Sequence, residues 1–162
     1  MMKKTEAEQG KGYRPAAGWT AVAEGARIIE FPRVHDVRGN LSFIENARHF
    51  PFAIARVYWV YDVPGGEVRG GHAYRSLQEV MIALSGSLDV AVDSGDGAEQ
   101  VFHLNRSYRG LYVPQLHWRQ MRHFSTNAVA LVVASLPYDE DDYIYNYDDF
   151  MRTIHAKDHD RA

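Results

Sequence analysis

Short β-rich runs, separated by turn-forming residues, recur along most of the chain. They cover residues 28–31, 41–44, 55–63, 79–84, 87–92, 101–104, 111–113 and 128–136. Such even spacing predicts an antiparallel β-sandwich or barrel. No amphipathic helical pattern interrupts the middle of the chain, which argues against a parallel α/β fold.

The clearest local element is a β-hairpin around residue 95. Leu88, Val90 and Val92 alternate with smaller or acidic residues, as in a strand with one buried face. Residues 94–97 read Ser-Gly-Asp-Gly, which supplies turn chemistry before the apolar run 101–104 returns. We therefore expect these two runs to pair as neighbouring antiparallel strands.

The two ends of the chain differ from its middle. Residues 1–25 lack a sustained period and predict a loosely ordered extension, followed by one domain over 26–150 and a tail over 151–162. The stretch from Asp139 onward is the one plausible helix. Its acidic start and the basic residues near 152–157 suit the helix macrodipole. We place this tail outside the barrel and assign it no chemistry.

Composition excludes several classes of function. A net charge of -3 leaves no broad basic face for nucleic acid. The absence of cysteine excludes disulfides, thiolate catalysis and cysteine-ligated zinc, and it suits the cytoplasm. No apolar stretch approaches the roughly 20 residues of a membrane span, and no secretion signal is recognisable at the start.

The segment from Gly66 to Gly86 carries the most specific pattern. His72 and Tyr74 are two positions apart, so in a strand both side chains face the same side. The spacing of Gly66, His72, Glu79 and Gly86 is similar to the first cupin motif, with Tyr74 where metal-binding cupins have a second histidine. The pattern predicts an all-β cupin jelly roll with His72 and Tyr74 in its cavity.

A metal site in this cavity would be short of ligands. His72 and Glu79 supply two, whereas a catalytic transition metal needs about three from the protein. His117 is the remaining candidate, so a metal-dependent cupin stays an alternative, although we favour a metal-free pocket without a cofactor. Gln78 and Glu79 are adjacent, and alternation sends only one of them inward. The sequence leaves open which one.

Several further segments, in the right order, carry a resemblance to a known family. They are 36–41 with Glu45, 51–52, 56–58, 69–73, 85–87, 110–113, Trp118 and 138–148. Over residues 36–150 the chain resembles the TDP-4-keto-6-deoxyglucose 3,4-ketoisomerases, which are metal-free cupins of deoxysugar biosynthesis.

The resemblance implies a homodimer with strands exchanged between subunits, acting on a thymidine-diphosphate-linked 4-keto-6-deoxy sugar. It implies catalytic roles for His72 and Tyr58 and a diphosphate contact for Arg38, with Arg69 placed to help. The predicted substrate-binding set is Arg38, Arg69, Gly71, Trp118 and Arg119. Two positions depart from the family pattern, because Tyr74 replaces the second histidine and Gly71 replaces an aromatic residue.

The residues themselves suggest how such a reaction would run. His72 is the candidate base for a proton next to a ketone, and the phenols of Tyr58 and Tyr74 suit donation to the developing oxyanion. A single base could move the proton between C3 and C4 on one face of the ring. An epimerase of nucleotide-linked keto sugars and a non-catalytic TDP-sugar-binding cupin remain alternatives.

Overall fold

The computed structural model describes residues 25–46 and 48–161, and these form mainly antiparallel β-structure. Its strands are β1 Arg27–Glu30, β2 Arg33–Asp36, β3 Gly39–Ser42, β4 Arg56–Val60, β5 Arg69–Tyr74, β6 Glu79–Ser85, β7 Leu88–Asp93, β8 Glu99–Leu104, β9 Arg109–Val113, β10 Trp118–Arg122, β11 Val129–Ala134 and β12 Tyr143–Ile144. A short 3-10 helix covers Glu140–Asp142, and α1 covers Tyr147–Arg161.

Two five-stranded sheets build the body of the fold. The first has the order β1-β9-β6-β11-β4 and the second has the order β12-β5-β10-β7-β8, while β2 and β3 pair with each other in a separate two-stranded sheet. The predicted hairpin is β7 and β8, in which Leu88 pairs with Leu104 and Asp93 with Glu99. This arrangement confirms the predicted all-β sandwich with a C-terminal helix.

Apolar side chains from the inner faces of both sheets form the main core. Met81, Leu111 and Val132 from the first sheet meet Leu88 and Val90 from the second in one buried cluster. The inward-facing apolar side chains of each strand are thereby removed from water. This burial is the main stabilising contribution in a β-sandwich. The core closes one end of the space between the sheets and leaves a cavity elsewhere.

The outer faces of the sheets are covered in part by segments outside the strands. Phe50 and Phe52 cover the outer side of β6, where they pack with Val80 and Ile82. Because β6 is covered on both sides, its first five residues are all buried. On the second sheet, Phe150 of α1 packs against the outward-facing residues of β5 and β10.

The tail differs from the sequence-based expectation of one helix from residue 139. Asp139 caps the 3-10 helix by accepting from the Asp141 backbone N–H, and the next residues pair as β12 with β5. The α-helix begins only at Tyr147, so the predicted boundary between residues 150 and 151 falls within it. Residues 1–24 of the predicted extension lie outside the described residues. Within the described ranges, no helix has the length and hydropathy needed to cross a bilayer.

Candidate active site

A cavity of about 300 Å³ opens between the two sheets. Inward-facing side chains of β4, β5 and β10 form its walls, and residues of the tail cover one side. It is lined by Arg56, Tyr58, Val60, Arg69, Gly70, His72, Tyr74, Arg119, Met121, Tyr138 and Tyr143. The cavity therefore brings together His72, Tyr74, Tyr58, Arg69 and Arg119 of the predicted site.

His72 lies on β5 with its imidazole against the aromatic wall of the cavity. Its ring centroid is 4.8 Å from that of Tyr74 and 4.9 Å from that of Tyr143. The Nε2 atom is buried and has no hydrogen-bond partner. Burial, and then the positive charge of Arg119, lower the pKa of His72 to about 3. The imidazole is thus neutral at pH 7, with a ring nitrogen free for a ligand.

Arg119 and Glu79 form an ion pair that is almost fully buried at the base of the cavity, each with 1% exposure of its side chain. The Arg119 Nε donates to Glu79 Oε1 at 2.5 Å and Nη2 donates to Oε2 at 3.0 Å. Nη1 donates to the carbonyl of Gly70 at 2.9 Å. Such a bidentate pair is rigid and locally neutral. The sequence question about Gln78 and Glu79 is resolved, since Glu79 faces inward and Gln78 bonds Tyr112.

The ion pair also fixes the two tyrosines. Arg119 Nη2 donates to the Tyr58 hydroxyl at 3.3 Å and to the Tyr74 hydroxyl at 3.4 Å, while the Tyr58 hydroxyl donates to Glu79 at 3.2 Å. Burial, followed by the charge of Glu79, raises the pKa of both phenols, so they stay protonated. Because Tyr74 accepts from Arg119, its own O–H is left to donate to a nearby oxygen.

Three residues of the predicted substrate-binding set lie elsewhere. Arg38 follows β2, is 86% exposed and pairs with Asp36 at 2.8 Å, outside the cavity of this chain. Gly71 and Trp118 point to the other side of the second sheet, as the alternation from His72 and Arg119 requires. There the Trp118 ring meets Tyr147 at 5.3 Å, and it lies 3.8 Å from where a Cβ on Gly71 would be.

Arg119 lines the cavity with its donors already engaged within the protein. Its Nε and both terminal nitrogens are engaged by Glu79, Gly70 and the tyrosines, so it supports the cavity wall behind the ligand space. β6 and β10 belong to different sheets, and the packing of the two sheets face to face brings Arg119 onto Glu79. Nothing in the local sequence around Arg119 indicates this contact.

Sequence reasoning missed Arg56, Tyr138 and Tyr143. Arg56 is two positions before Tyr58 on β4 and shares its inward face, so alternation alone could have identified it. Tyr138 and Tyr143 belong to the tail to which no chemistry was assigned. Their place in the cavity depends on the pairing of β12 with β5, for which the sequence carries no local signal.

The described residues offer no cluster of three or more His, Asp or Glu side chains that could hold a metal ion. Glu79 is committed to Arg119, and the Nδ1 of His117 faces the carbonyl of Gln115. The ligand set considered from the sequence, His72 with Glu79 and His117, is therefore not assembled.

Comparisons with known proteins agree with this architecture. Residues 24–155 match the family model described as FdtA: WxcM-like, C-terminal. The chain is 41% identical over 128 residues to TDP-4-oxo-6-deoxy-alpha-D-glucose-3,4-oxoisomerase of Aneurinibacillus thermoaerophilus, covering 79% of this chain and 91% of that protein.

Solved structures of two related enzymes superpose closely. One is QdtA, a sugar 3,4-ketoisomerase from Thermoanaerobacterium thermosaccharolyticum in complex with TDP, with 36% identity, a TM-score of 0.80 and coverage of 84% of this chain and 98% of that one. The other is the WlaRB TDP-quinovose 3,4-ketoisomerase from Campylobacter jejuni, with 39% identity, a TM-score of 0.76 and coverage of 80% and 99%.

Proposed function

The chain belongs to the FdtA family (WxcM-like, C-terminal), and from this membership we propose that it is a sugar 3,4-ketoisomerase. Its substrate is a TDP-linked 4-keto-6-deoxyhexose, whose keto group it moves from C4 to C3. The observation that carries the proposal is the neutral imidazole of His72, with its buried, unpartnered nitrogen, in a cavity that also holds two protonated phenols.

In the proposed reaction His72 acts as the base. It takes the proton from C3, the C–H electrons form the C3–C4 double bond, and the C4 carbonyl oxygen becomes anionic. Tyr74 donates its proton to this oxygen and recovers one from the C3 hydroxyl. As the C3 carbonyl forms, the imidazolium returns its proton to C4 on the same face of the ring. No atom is gained or lost overall.

A base with so low a pKa can act here because the positive charge on the imidazole and the negative charge on the sugar form close together. The proton reaches His72 as negative charge appears on the adjacent sugar oxygens, so the imidazolium and the enediolate stabilise each other in a site of low dielectric. The ion pair of Arg119 and Glu79 is neutral as a unit. It holds Tyr58 and Tyr74 in place without competing for the proton.

The decisive experiment is an assay with TDP-4-keto-6-deoxyglucose, in which a 3-aminotransferase traps the 3-keto product for mass spectrometry. We expect trapped amino sugar with the wild-type protein and none with His72→Asn. NMR of the product distinguishes isomerisation from epimerisation. Thermal stabilisation by TDP without any turnover would instead support a non-catalytic binding protein, in which Tyr74 marks a lost active site.

A homodimer is the second part of the proposal. Among the residues that the structure describes, the β2–β3 hairpin pairs with no other strand, and every residue of its strands is exposed. An isolated two-stranded hairpin is only marginally stable in water. Its apolar residues Val34 and Leu41, with the adjacent Val37, are exposed as well, which favours packing of the hairpin on a second copy.

Such an exchange gives Arg38 its predicted role. In one chain this guanidinium lies outside the cavity, but a hairpin exchanged in the dimer would bring it toward the partner's cavity and its bound diphosphate. Arg69, which lines the cavity of its own chain, would contact the same group. A cytoplasmic location accords with the cysteine-free composition and stays a prediction.

A further inference from the structure

Arg56 presents to the cavity a guanidinium beside the Tyr143 side chain, which helps to hold its charge. Arg56 is the first residue of β4, and its Nε and Nη2 atoms are buried without a hydrogen-bond partner. The group lies 5.3 Å from the ring centroid of Tyr58 and 5.5 Å from that of Tyr138, so two aromatic rings fix its position. Buried donors of a charged group are costly when unpaired, which indicates that a ligand supplies the missing acceptor.

The surroundings of the half-buried Arg56 differ from those of the fully buried Arg119. Arg119 is neutralised by Glu79, whereas no carboxylate is paired with Arg56 among the described ion pairs. Burial lowers the pKa of Arg56, but the phenolic groups, led by Tyr143, outweigh burial and raise it. The cavity therefore holds a fixed positive charge that its own residues leave uncompensated.

The position of Arg56 in the cavity determines which part of the substrate it would contact. β4 runs along the cavity from Arg56 to Val60, a span of about 13 Å. Arg69 lies at the Val60 end, where a second surface depression begins. Arg56 lies at the other end, beside Tyr143, which also contacts His72. The two arginines are thus divided between two ends of the cavity, and Tyr143 lies between the Arg56 guanidinium and the His72 ring.

We propose that Arg56 is a further catalytic residue, whose Nε and Nη2 donate hydrogen bonds to the sugar oxygens at C3 and C4 as the enediolate forms. This inference rests on the proposed ketoisomerase function and adds the cation that balances its anionic intermediate. Arg56 keeps its own protons throughout. The diphosphate is left to Arg69 and Arg38.

The test compares Arg56→Gln and Arg56→Lys with Arg69→Gln as the matched control. Loss of a preoriented donor to an oxyanion lowers kcat by about 10²- to 10³-fold, which we expect for Arg56→Gln with an affinity for TDP within about threefold of wild type. Arg56→Lys keeps the charge and should recover part of kcat. Arg69→Gln should instead weaken TDP binding and raise KM, with a smaller effect on kcat.

A second measurement does not depend on turnover. In the His72→Asn background the substrate stays bound as the 4-ketone, and its carbonyl stretch can be read by infrared difference spectroscopy. The double variant His72→Asn with Arg56→Lys should show this stretch at a higher frequency than His72→Asn alone, because its carbonyl is less polarised. An unmoved stretch together with an unchanged kcat overturns the role of Arg56, as does a loss confined to TDP affinity. Absence of turnover by the wild-type protein overturns the ketoisomerase proposal instead.

Discussion

At the scale of single residues, the cavity separates a buried ion pair from the neutral groups to which we assign proton transfer. Arg119 and Glu79 compensate each other behind the cavity wall, while His72 and Tyr74 face the ligand space in their neutral forms. The separation has a physical basis, because the same burial that strengthens the ion pair disfavours charge on an isolated imidazole or phenol. The pocket is thereby prepared for proton transfer at neutral pH.

This environment leads to a prediction about pH. The free-enzyme profile of kcat/KM reports the pKa of the essential base. Because the pKa of His72 is lowered from 6.5 to about 3, kcat/KM should not show a histidine titration near 6.5. We expect it to stay within about twofold between roughly pH 8 and pH 5. A tenfold fall centred near 6.5 would contradict the assignment.

Stability, unlike kcat/KM, should depend on pH below about 6.5. The folded pKa of His72 lies below its unfolded value, so the unfolded chain binds more protons between these two values. The free energy of unfolding should therefore decrease as the pH falls below about 6.5. Denaturant titrations of wild type and His72→Asn separate this contribution, because the variant lacks it. Equal pH dependence in both proteins would assign the effect to other groups.

At the scale of strands, the sequence predicts much of the fold and only part of the site. β-rich runs bounded by turn residues identified β6, β7 and β11, and period-2 alternation correctly places His72 and Tyr74 on one face of β5. The pairing of strands distant in sequence could not be predicted in this way. The return of β12 onto β5 depends on such pairing, and the contact of Arg119 with Glu79 depends on how the two sheets pack face to face.

The close approach of β10 to β5 produces a prediction for two neighbouring glycines. Gly70 has a φ of +71°, and a Cβ there would lie 2.0 Å from Arg119 Nη1, whereas a Cβ on Gly71 would meet nothing nearer than 3.8 Å. Gly70→Ala should lower the free energy of unfolding by at least about 1–2 kcal/mol from the left-handed backbone alone. Gly71→Ala should stay within about 0.5 kcal/mol of wild type. Chemical denaturation of both variants measures the difference, and equal values would refute the close contact.

The buried ion pair between β6 and β10 predicts a non-additive effect. Arg119→Met leaves the Glu79 carboxylate buried and unpaired, which should cost about 3–5 kcal/mol of the free energy of unfolding. The double variant Arg119→Met with Glu79→Leu removes both charges and should be more stable than the single variant. Urea denaturation of the full cycle tests this. A double variant that loses the sum of the two single effects would show that the pair is not coupled.

At the scale of the whole molecule, one chain gives an incomplete account of its own site. The described residues build a cavity with a neutral imidazole, phenols and two cations facing it, yet Arg38 and its hairpin extend away with their apolar residues exposed. A two-fold dimer accounts for both observations, since each copy would cover the other's hairpin and receive its arginine. Light scattering should accordingly give the mass of a dimer.

Complementation between two inactive or weakened variants tests where Arg38 acts. Co-expression of His72→Asn with Arg38→Ala under different affinity tags allows isolation of the mixed dimer. If Arg38 acts across the interface, the Arg38→Ala subunit keeps its own His72 and receives Arg38 from its partner, so one of the two sites is intact. The mixed dimer should then show about half of the wild-type kcat/KM, because the two sites of a symmetric dimer contribute equally. If Arg38 acts within its own chain, the same dimer retains only half of the value for Arg38→Ala, and a monomeric protein would remove the basis for exchange altogether.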